Sequence, residues 1–239
     1  MYAYIYDCFS NDPKYGKLLH KIEKRLTDLN LNGKIVRLGI SKNIKVAIDD
    51  EIRQGTKTIV AVGNDNTVSQ AINAIVSNQS DEKNLVTLGI IPLDEKENKI
   101  AAAFGITTIG DACEILLARR LESFNLARIN QGFFLFKAIL SAPDSILEID
   151  KNFIIHNLKP MIIEATNSPH LSAEDEQKKI KLRIYNDEGE SLFYLRELLI
   201  VNSGASIIAD DSWKIKTPAR IKIGEDKIRV IVGKERHLN

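Results

Sequence analysis

Cysteine is scarce in this chain: only Cys8 and Cys113 occur among 239 residues, far apart and without CxxC spacing. With no histidine cluster beside them, that excludes a disulfide framework, argues against a zinc site and fits a reducing cytoplasm. Long apolar runs are missing too. No stretch approaches the ~18 apolar residues of a membrane span, and Met1-Tyr2-Ala3-Tyr4-Ile5-Tyr6-Asp7 has neither the basic leader nor the apolar core of a secretion signal. Neither sign of charge is in excess, since 33 Lys plus Arg stand against 32 Asp plus Glu for a formal net charge of +1. Net charge therefore exerts no pull toward nucleic acid or an anionic membrane, which leaves local patches as the only electrostatic route to such partners. His20, His156, His170 and His237 fall in separate segments without ligand spacing, and there is no Ser-His-Asp order, GxSxG elbow, internal repeat or low-complexity segment.

With 44% hydrophobic and 27% charged residues the chain reads as globular, long enough for one large domain or two modest ones. Its first half alternates strand and helix patterns. Residues 2–7 alternate like a strand, and Leu18, Leu19, Ile22, Leu26 and Leu29 recur at helical spacing within 12–29. Strands at 34–38, 58–62 and 85–91 and helices at 44–52, 68–77, 98–104 and 110–119 continue the pattern, which predicts a parallel sheet covered by helices with ligands at the strands' carboxyl ends. After about residue 125 the period changes. Runs at 133–139, 161–165, 180–185, 192–201, 206–209, 219–223 and 227–232 are short, β-branched and aromatic, separated by turn signals such as Asn186-Asp187-Glu188-Gly189 and Gly224-Glu225-Asp226. The expectation is an α/β domain over 1–125 and a smaller antiparallel β-rich domain, a sandwich or open barrel, over 126–239. The polar stretch 168–179 reads as a solvated hairpin loop.

The most informative stretch is Thr58-Ile59-Val60-Ala61-Val62-Gly63-Asn64-Asp65-Asn66-Thr67-Val68. An apolar strand stops at small polar residues and a helix carrying Ala71, Ile72 and Ile75 follows. Free amides and the positive end of the helix dipole would then face whatever lies above the turn, which is how helix N-termini bind phosphate. A plain strand-to-helix turn is the other reading.

This turn resembles the Gly-Gly-Asp-Gly-Thr motif of the diacylglycerol kinase catalytic-domain family, matching at Gly63, Asp65 and Thr67 with Asn64 and Asn66 replacing glycines. Val86-Thr87-Leu88-Gly89-Ile90-Ile91-Pro92-Leu93 and Asn98-Lys99-Ile100-Ala101-Ala102-Ala103-Phe104-Gly105-Ile106 resemble the strand before that family's second glycine-rich loop and the segment after it. The run 119–130 with Phe133-Phe134-Leu135 resembles its crossing into a second domain, and Ala209-Asp210-Asp211-Ser212-Trp213 with Thr217-Pro218-Ala219-Arg220-Ile221 its Asp-Gly-Glu turn and the strand beyond. The resemblance implies an NAD kinase/diacylglycerol kinase-like fold, and transfer of the γ-phosphate of ATP to a lipid hydroxyl with Mg²⁺. It also implies a nucleotide site at Gly63, Asn64, Asp65, Asn66, Thr67 and Asn98, with Asp210 as general base. A lipid substrate would be met at a membrane surface or in a pocket, where Trp213 could serve if it is not packing.

The departures carry physical consequences. Asn tolerates left-handed backbone angles, so Asn64 and Asn66 could preserve the turn's shape while crowding a bound phosphate. Asp94-Glu95-Lys96-Glu97 stands where the family has Gly-Thr-Gly. One carboxylate about 6 Å from a phosphate charge costs roughly 0.7 kcal/mol in bulk water and about 3 kcal/mol at an effective dielectric near 20, unless Mg²⁺ turns the carboxylates into ligands or the four charges are simply a solvated loop. Lys99 reverses the charge of a family Asp, Asp7-Cys8 replaces Asn-Pro, and Asp211 and Ser212 replace Gly and Glu, so that Asp210 also reads as a turn residue. A catalytically inactive relative that binds nucleotide, lipid or protein is the alternative function, and the NAD kinase-like branch resembles the chain less closely.

Overall fold

The computed structural model describes residues 1–39, 43–79, 85–93, 98–167 and 179–236. The chain forms two compact units, Met1–Ser123 together with Ile228–Asn239, and Phe124–Lys227. The sequence places one boundary at 125/126; the return of the last residues to the first unit leaves no mark in the hydrophobic pattern.

In the first unit β1 (Tyr2–Tyr6), β2 (Gly33–Arg37), β3 (Thr58–Gly63) and β4 (Thr87–Pro92) run parallel in the order β2-β1-β3-β4. The end of β16 (Ala219–Ile231) adds beside β4, Arg229 and Val230 pairing in parallel with Thr87 and Leu88. Every residue of β3 and β4 is buried, as strands covered on both faces require. The covering helices are α1 (Gly16–Asp28), α2 (Ile44–Arg53), α3 (Asp65–Ser77), α4 (Lys99–Ala103) and α5 (Ile109–Ala118). α1 starts later than the periodicity predicts. Pro13 lacks an amide and the Asp12 carboxylate accepts from Lys14 N at 3.0 Å, which tightens 12–15 into a 3₁₀ turn ahead of the helix. β2 lies on one side of β1 and β3 on the other, so the carboxyl ends of β1 and β3 flank a topological switch point, where open α/β sheets bind ligands.

The second unit is all-β among the described residues. One sheet holds the start of β16, β13 (Glu197–Val201), β8 (Ser145–Ile149) and β9 (Phe153–Asn157), with β5 (Leu121–Ile129) on β16 and β6 (Gly132–Phe134) on β5. The other has the order β12 (Gly189–Leu195), β11 (Ile180–Asn186), β10 (Met161–Thr166), β7 (Lys137–Ala142), β14 (Ser206–Ala209), β15 (Trp213–Lys216), with every pair antiparallel. Alternate residues of both sheets, among them Phe134, Leu140, Leu147, Ile163, Leu182, Leu198, Ile207 and Ile221, form one core, so the unit is a sandwich. Trp213 packs against that core.

Several strand readings change. The run 192–201 is two strands, because the Asp150 carboxylate accepts from Arg196 N and Glu197 N, each at 2.8 Å, and turns the chain between them. Gly224-Glu225-Asp226 is not a turn but lies inside β16. β8 and β9, apolar at Ile146-Leu147 and Phe153-Ile154-Ile155, are strands in addition to the expected runs, and their hairpin rests on Asp150 and Lys151 at φ 49° and 60°, the pair of left-handed residues a tight primed turn needs. The stretch 168–178, expected as a loop, lies outside the described residues.

Candidate active site

Gly63 ends β3 at the switch point, and Asn64, Asp65, Asn66 and Thr67 open α3. A Cβ at Gly63 would lie 2.2 Å from Thr67 Oγ1, so only glycine admits the threonine packed on this turn. Asn64 caps the helix: its Oδ1 accepts from Thr67 N at 3.2 Å while its own amide donates to Thr67 Oγ1 at 3.3 Å, a reciprocal capping box. The expectation that Asn64 and Asn66 hold the turn through left-handed angles is corrected here. Asn64 is extended at φ −106°, and Asn66 is an exposed residue in the first turn of the helix. Thr67 Oγ1 also donates to the Asp7 carboxylate, which joins the end of β1 to the start of α3. That makes Asp7, which stands where the resembled family carries Asn, a member of the turn.

Asp65 points inward. It is 7% exposed and its two carboxylate oxygens accept the amides of Lys99 at 2.8 Å and Ile100 at 2.9 Å. It therefore serves as the N-terminal acceptor of α4 from the first turn of another helix, satisfying two amides that α4 cannot satisfy itself. Asn98 precedes Lys99 and is 5% exposed, and its side chain makes no capping bond; among the described residues Oδ1 and Nδ2 have no hydrogen-bond partner. A buried amide left with neither donor nor acceptor satisfied costs about 1–3 kcal/mol per group. Asp94, Glu95, Lys96 and Glu97 lie outside the described residues, and so do both the repulsion and the metal ligation expected of them. Among the described residues no three His, Cys, Asp or Glu side chains gather to hold a metal.

In the second unit Asp210 follows β14 at φ 46° and is 7% exposed. Its Oδ2 accepts from Leu135 N at 2.7 Å, and its Oδ1 from Phe136 N at 2.8 Å and Lys137 N at 3.1 Å. These bonds take the amides of 135–137 out of the sheet and divide the expected strand 133–139 into β6 and β7. Burial pushes the carboxyl up from 3.8 to about 6; the three amides pull it down and Asp211 adds to the rise. Asn167 braces the same segment, donating from Nδ2 to Asn125 O at 3.0 Å and Leu135 O at 2.8 Å, while its amide donates to Phe136 O at 2.7 Å. No sequence signal marks Asn167, which lies far from its partners along the chain.

A parallel α/β unit with a capped turn at its switch point, paired with a β-sandwich, is the fold of a class of kinases to which the comparisons lead directly. The Diacylglycerol kinase catalytic domain family matches residues 2–129, more than half of the chain. The chain belongs to that family of lipid kinases. Three solved structures of Bacillus anthracis str. Sterne proteins described as diacylglycerol kinases are similar in fold. The first has a TM-score of 0.74 at 13% identity over 98% of this chain and 97% of that one. The second has 0.73 at 14% over 98% and 97%, and the third 0.74 at 14% over 97% of each. No curated protein matches the chain. No helix among the described residues is long and apolar enough to cross a membrane.

Proposed function

We propose that the chain is an ATP-dependent kinase acting on a lipid hydroxyl. The observation that carries this reading is Asn98: a buried amide whose polar atoms find no partner among the described residues, next to the start of α4 that Asp65 holds in place. An adenine nucleotide offers the donors and acceptors such an amide lacks, and the first turn of α3 offers amides to its phosphates. ATP, bound with Mg²⁺, would supply the phosphoryl group; Mg²⁺ commonly needs only one or two carboxylates beyond the phosphates themselves. Gly63 and Thr67 fix the turn, Asn64 caps it, and Asn66 at its exposed rim is the residue nearest to solvent.

Asp210 suits the general base. Two carboxylate oxygens offer about four acceptor positions; three are taken by amides, and Oδ2, with one amide, keeps a lone pair for a hydroxyl proton. Its carboxyl near 6 is ionised at neutral pH yet basic enough to take up a proton. A second reading, an inactive relative that binds nucleotide, lipid or protein, is favoured by the same three amides, because they give Asp210 a structural task that needs no chemistry.

The test is a titration of the full chain with ATP, with and without Mg²⁺, followed by an assay of diacylglycerol phosphorylation. The kinase reading expects saturable Mg·ATP binding and phosphatidate formation that Asp210→Asn abolishes with binding retained. ATP binding without turnover would leave the inactive relative, and no ATP binding at any Mg²⁺ level would sink the nucleotide site.

A further inference from the structure

A cavity of about 590 Å³ opens in the second unit, lined by Arg128, Asn130, Arg220, Lys222, Gly224 and Asp226 among others. It lies apart in sequence from the turn at 63–67 and from Asp210 and uses none of those residues. Three cations and one carboxylate face it. The strand explains why: Arg220 and Lys222 are two apart on β16, so their side chains leave one face, while Ala219 and Ile221 enter the core fully buried.

The cations are held in place. Arg128 lies over the Phe133 ring at 5.1 Å and grips Asp226 through Nη2 at 3.1 and 3.2 Å. Gly224 makes that grip possible, because a Cβ there would sit 2.7 Å from Asp226 Oδ2. Arg220 Nη1 donates to Glu197, and Lys222 Nζ lies 3.2 Å from the same carboxylate. Burial pushes Glu197 up, but the bonds from Lys222 and Arg220 hold it below the usual carboxylate range. Asn130 accepts from Arg220 N at 2.9 Å and donates to Pro218 O at 3.3 Å, which ties down the start of the strand. Counting Asp226 and Glu197 against the three cations leaves one positive charge. The remaining guanidinium and ammonium hydrogens of Arg128, Arg220 and Lys222 have no acceptor among the described residues.

We propose that this cavity binds a phosphate group, carried either by a small soluble molecule or by a lipid headgroup. A phosphate presents several acceptor oxygens and up to two negative charges, which is what two guanidinium forks and an ammonium converging on one space can satisfy. Side-chain exposures of 49%, 40% and 45% for Arg128, Arg220 and Lys222 keep the cations partly in water, so each contributes modestly and salt weakens the site.

The full chain is titrated with inorganic phosphate, with glycerol 3-phosphate, and with phosphatidylcholine vesicles with and without phosphatidic acid. Saturable binding is expected for at least one phosphate probe, weakened at least about tenfold in Arg220→Gln/Lys222→Gln, since one charge at 4 Å in water is worth about fivefold. Asp226→Asn removes the competing carboxylate and frees Arg128, and it is expected to strengthen binding about fivefold. That opposite sign keeps the test decisive if the double variant folds poorly. Binding of the soluble probes assigns a soluble phosphate ester, and binding of phosphatidic acid vesicles alone assigns a headgroup. No binding of any probe by the native chain, or binding that neither variant alters, would overturn the proposal.

Discussion

Asp65 and Ile100 are joined across two helix starts: the carboxylate on the first turn of α3 accepts the Ile100 amide at 2.9 Å, beside the Lys99 amide at 2.8 Å. In sequence Asp65 belongs to a phosphate-like turn, but in the structure its charge is spent on holding α4. Asp65→Ala leaves two amides of a buried helix start without acceptor, and hydrogen bonds to charged groups contribute about 1.5–3 kcal/mol. The expected loss is about 2–4 kcal/mol, read as a lower urea midpoint with an unchanged slope. A change below 0.5 kcal/mol would show that the carboxylate is dispensable to α4.

Gly63 and Thr67 form a second such pair. Alanine at 63 drives a methyl against Thr67 Oγ1 and Cβ, at 2.2 and 2.6 Å, and the threonine must release Asp7 or Asn64 to make room. Gly63→Ala is expected to cost about 1–3 kcal/mol, the usual range for overpacking. In a Thr67→Ala background the same change should cost less, and the double-mutant cycle reports the coupling. Strict additivity would show that the close approach is not what glycine serves.

The buried carboxyl of Asp210 links pH to stability. Its folded value of about 6 lies above the ordinary 3.8, so the folded chain holds this proton more tightly than the unfolded one. That contribution is complete below about pH 3.8 and is lost as pH rises through about 6. A shift of this size corresponds to about 3 kcal/mol. Denaturation series at stepped pH should show the native chain losing stability over that window relative to Asp210→Asn, which cannot titrate. Parallel curves for the two proteins would contradict the burial account.

Much of the first unit was legible because its signals are local. β3 and β4 read as continuous apolar runs, and Gly63 at the end of β3 marked the turn. The second unit reads as strands for the same reason, yet its divisions rest on distant partners: Asp210 breaks 133–139 and Asp150 breaks 192–201. Gly105 illustrates the limit. Its sequence context matches the family, but its need for glycine comes from φ +74° and from the Glu235 carbonyl, 2.1 Å from where a Cβ would stand. Such an approach is set by the chain's return at 228–236, and no local pattern carries it. At the site, the capping role of Asn64 does not show in the sequence, because the resemblance places Asn64 and Thr67 together in a nucleotide site and says nothing of their bonds to each other.

Asn98 offers the sharpest separation of stability from function. Its amide is buried, makes no capping bond and has no partner for either polar atom among the described residues, an arrangement that costs stability. Replacing a buried, unsatisfied amide with an apolar side chain of similar size removes that desolvation cost, worth about 1–3 kcal/mol per group. Asn98→Leu is therefore expected to raise stability by about 1 kcal/mol, seen as a higher denaturant midpoint. If the amide is kept to meet a nucleotide, the same change should lower ATP affinity at least about tenfold, because ~1.4 kcal/mol is one decade. Residues retained for binding at the expense of stability show this opposition. A stabilised variant that binds ATP as well as the native chain would remove Asn98 from the nucleotide site, and a destabilised one would mean that the amide has a structural partner within the fold.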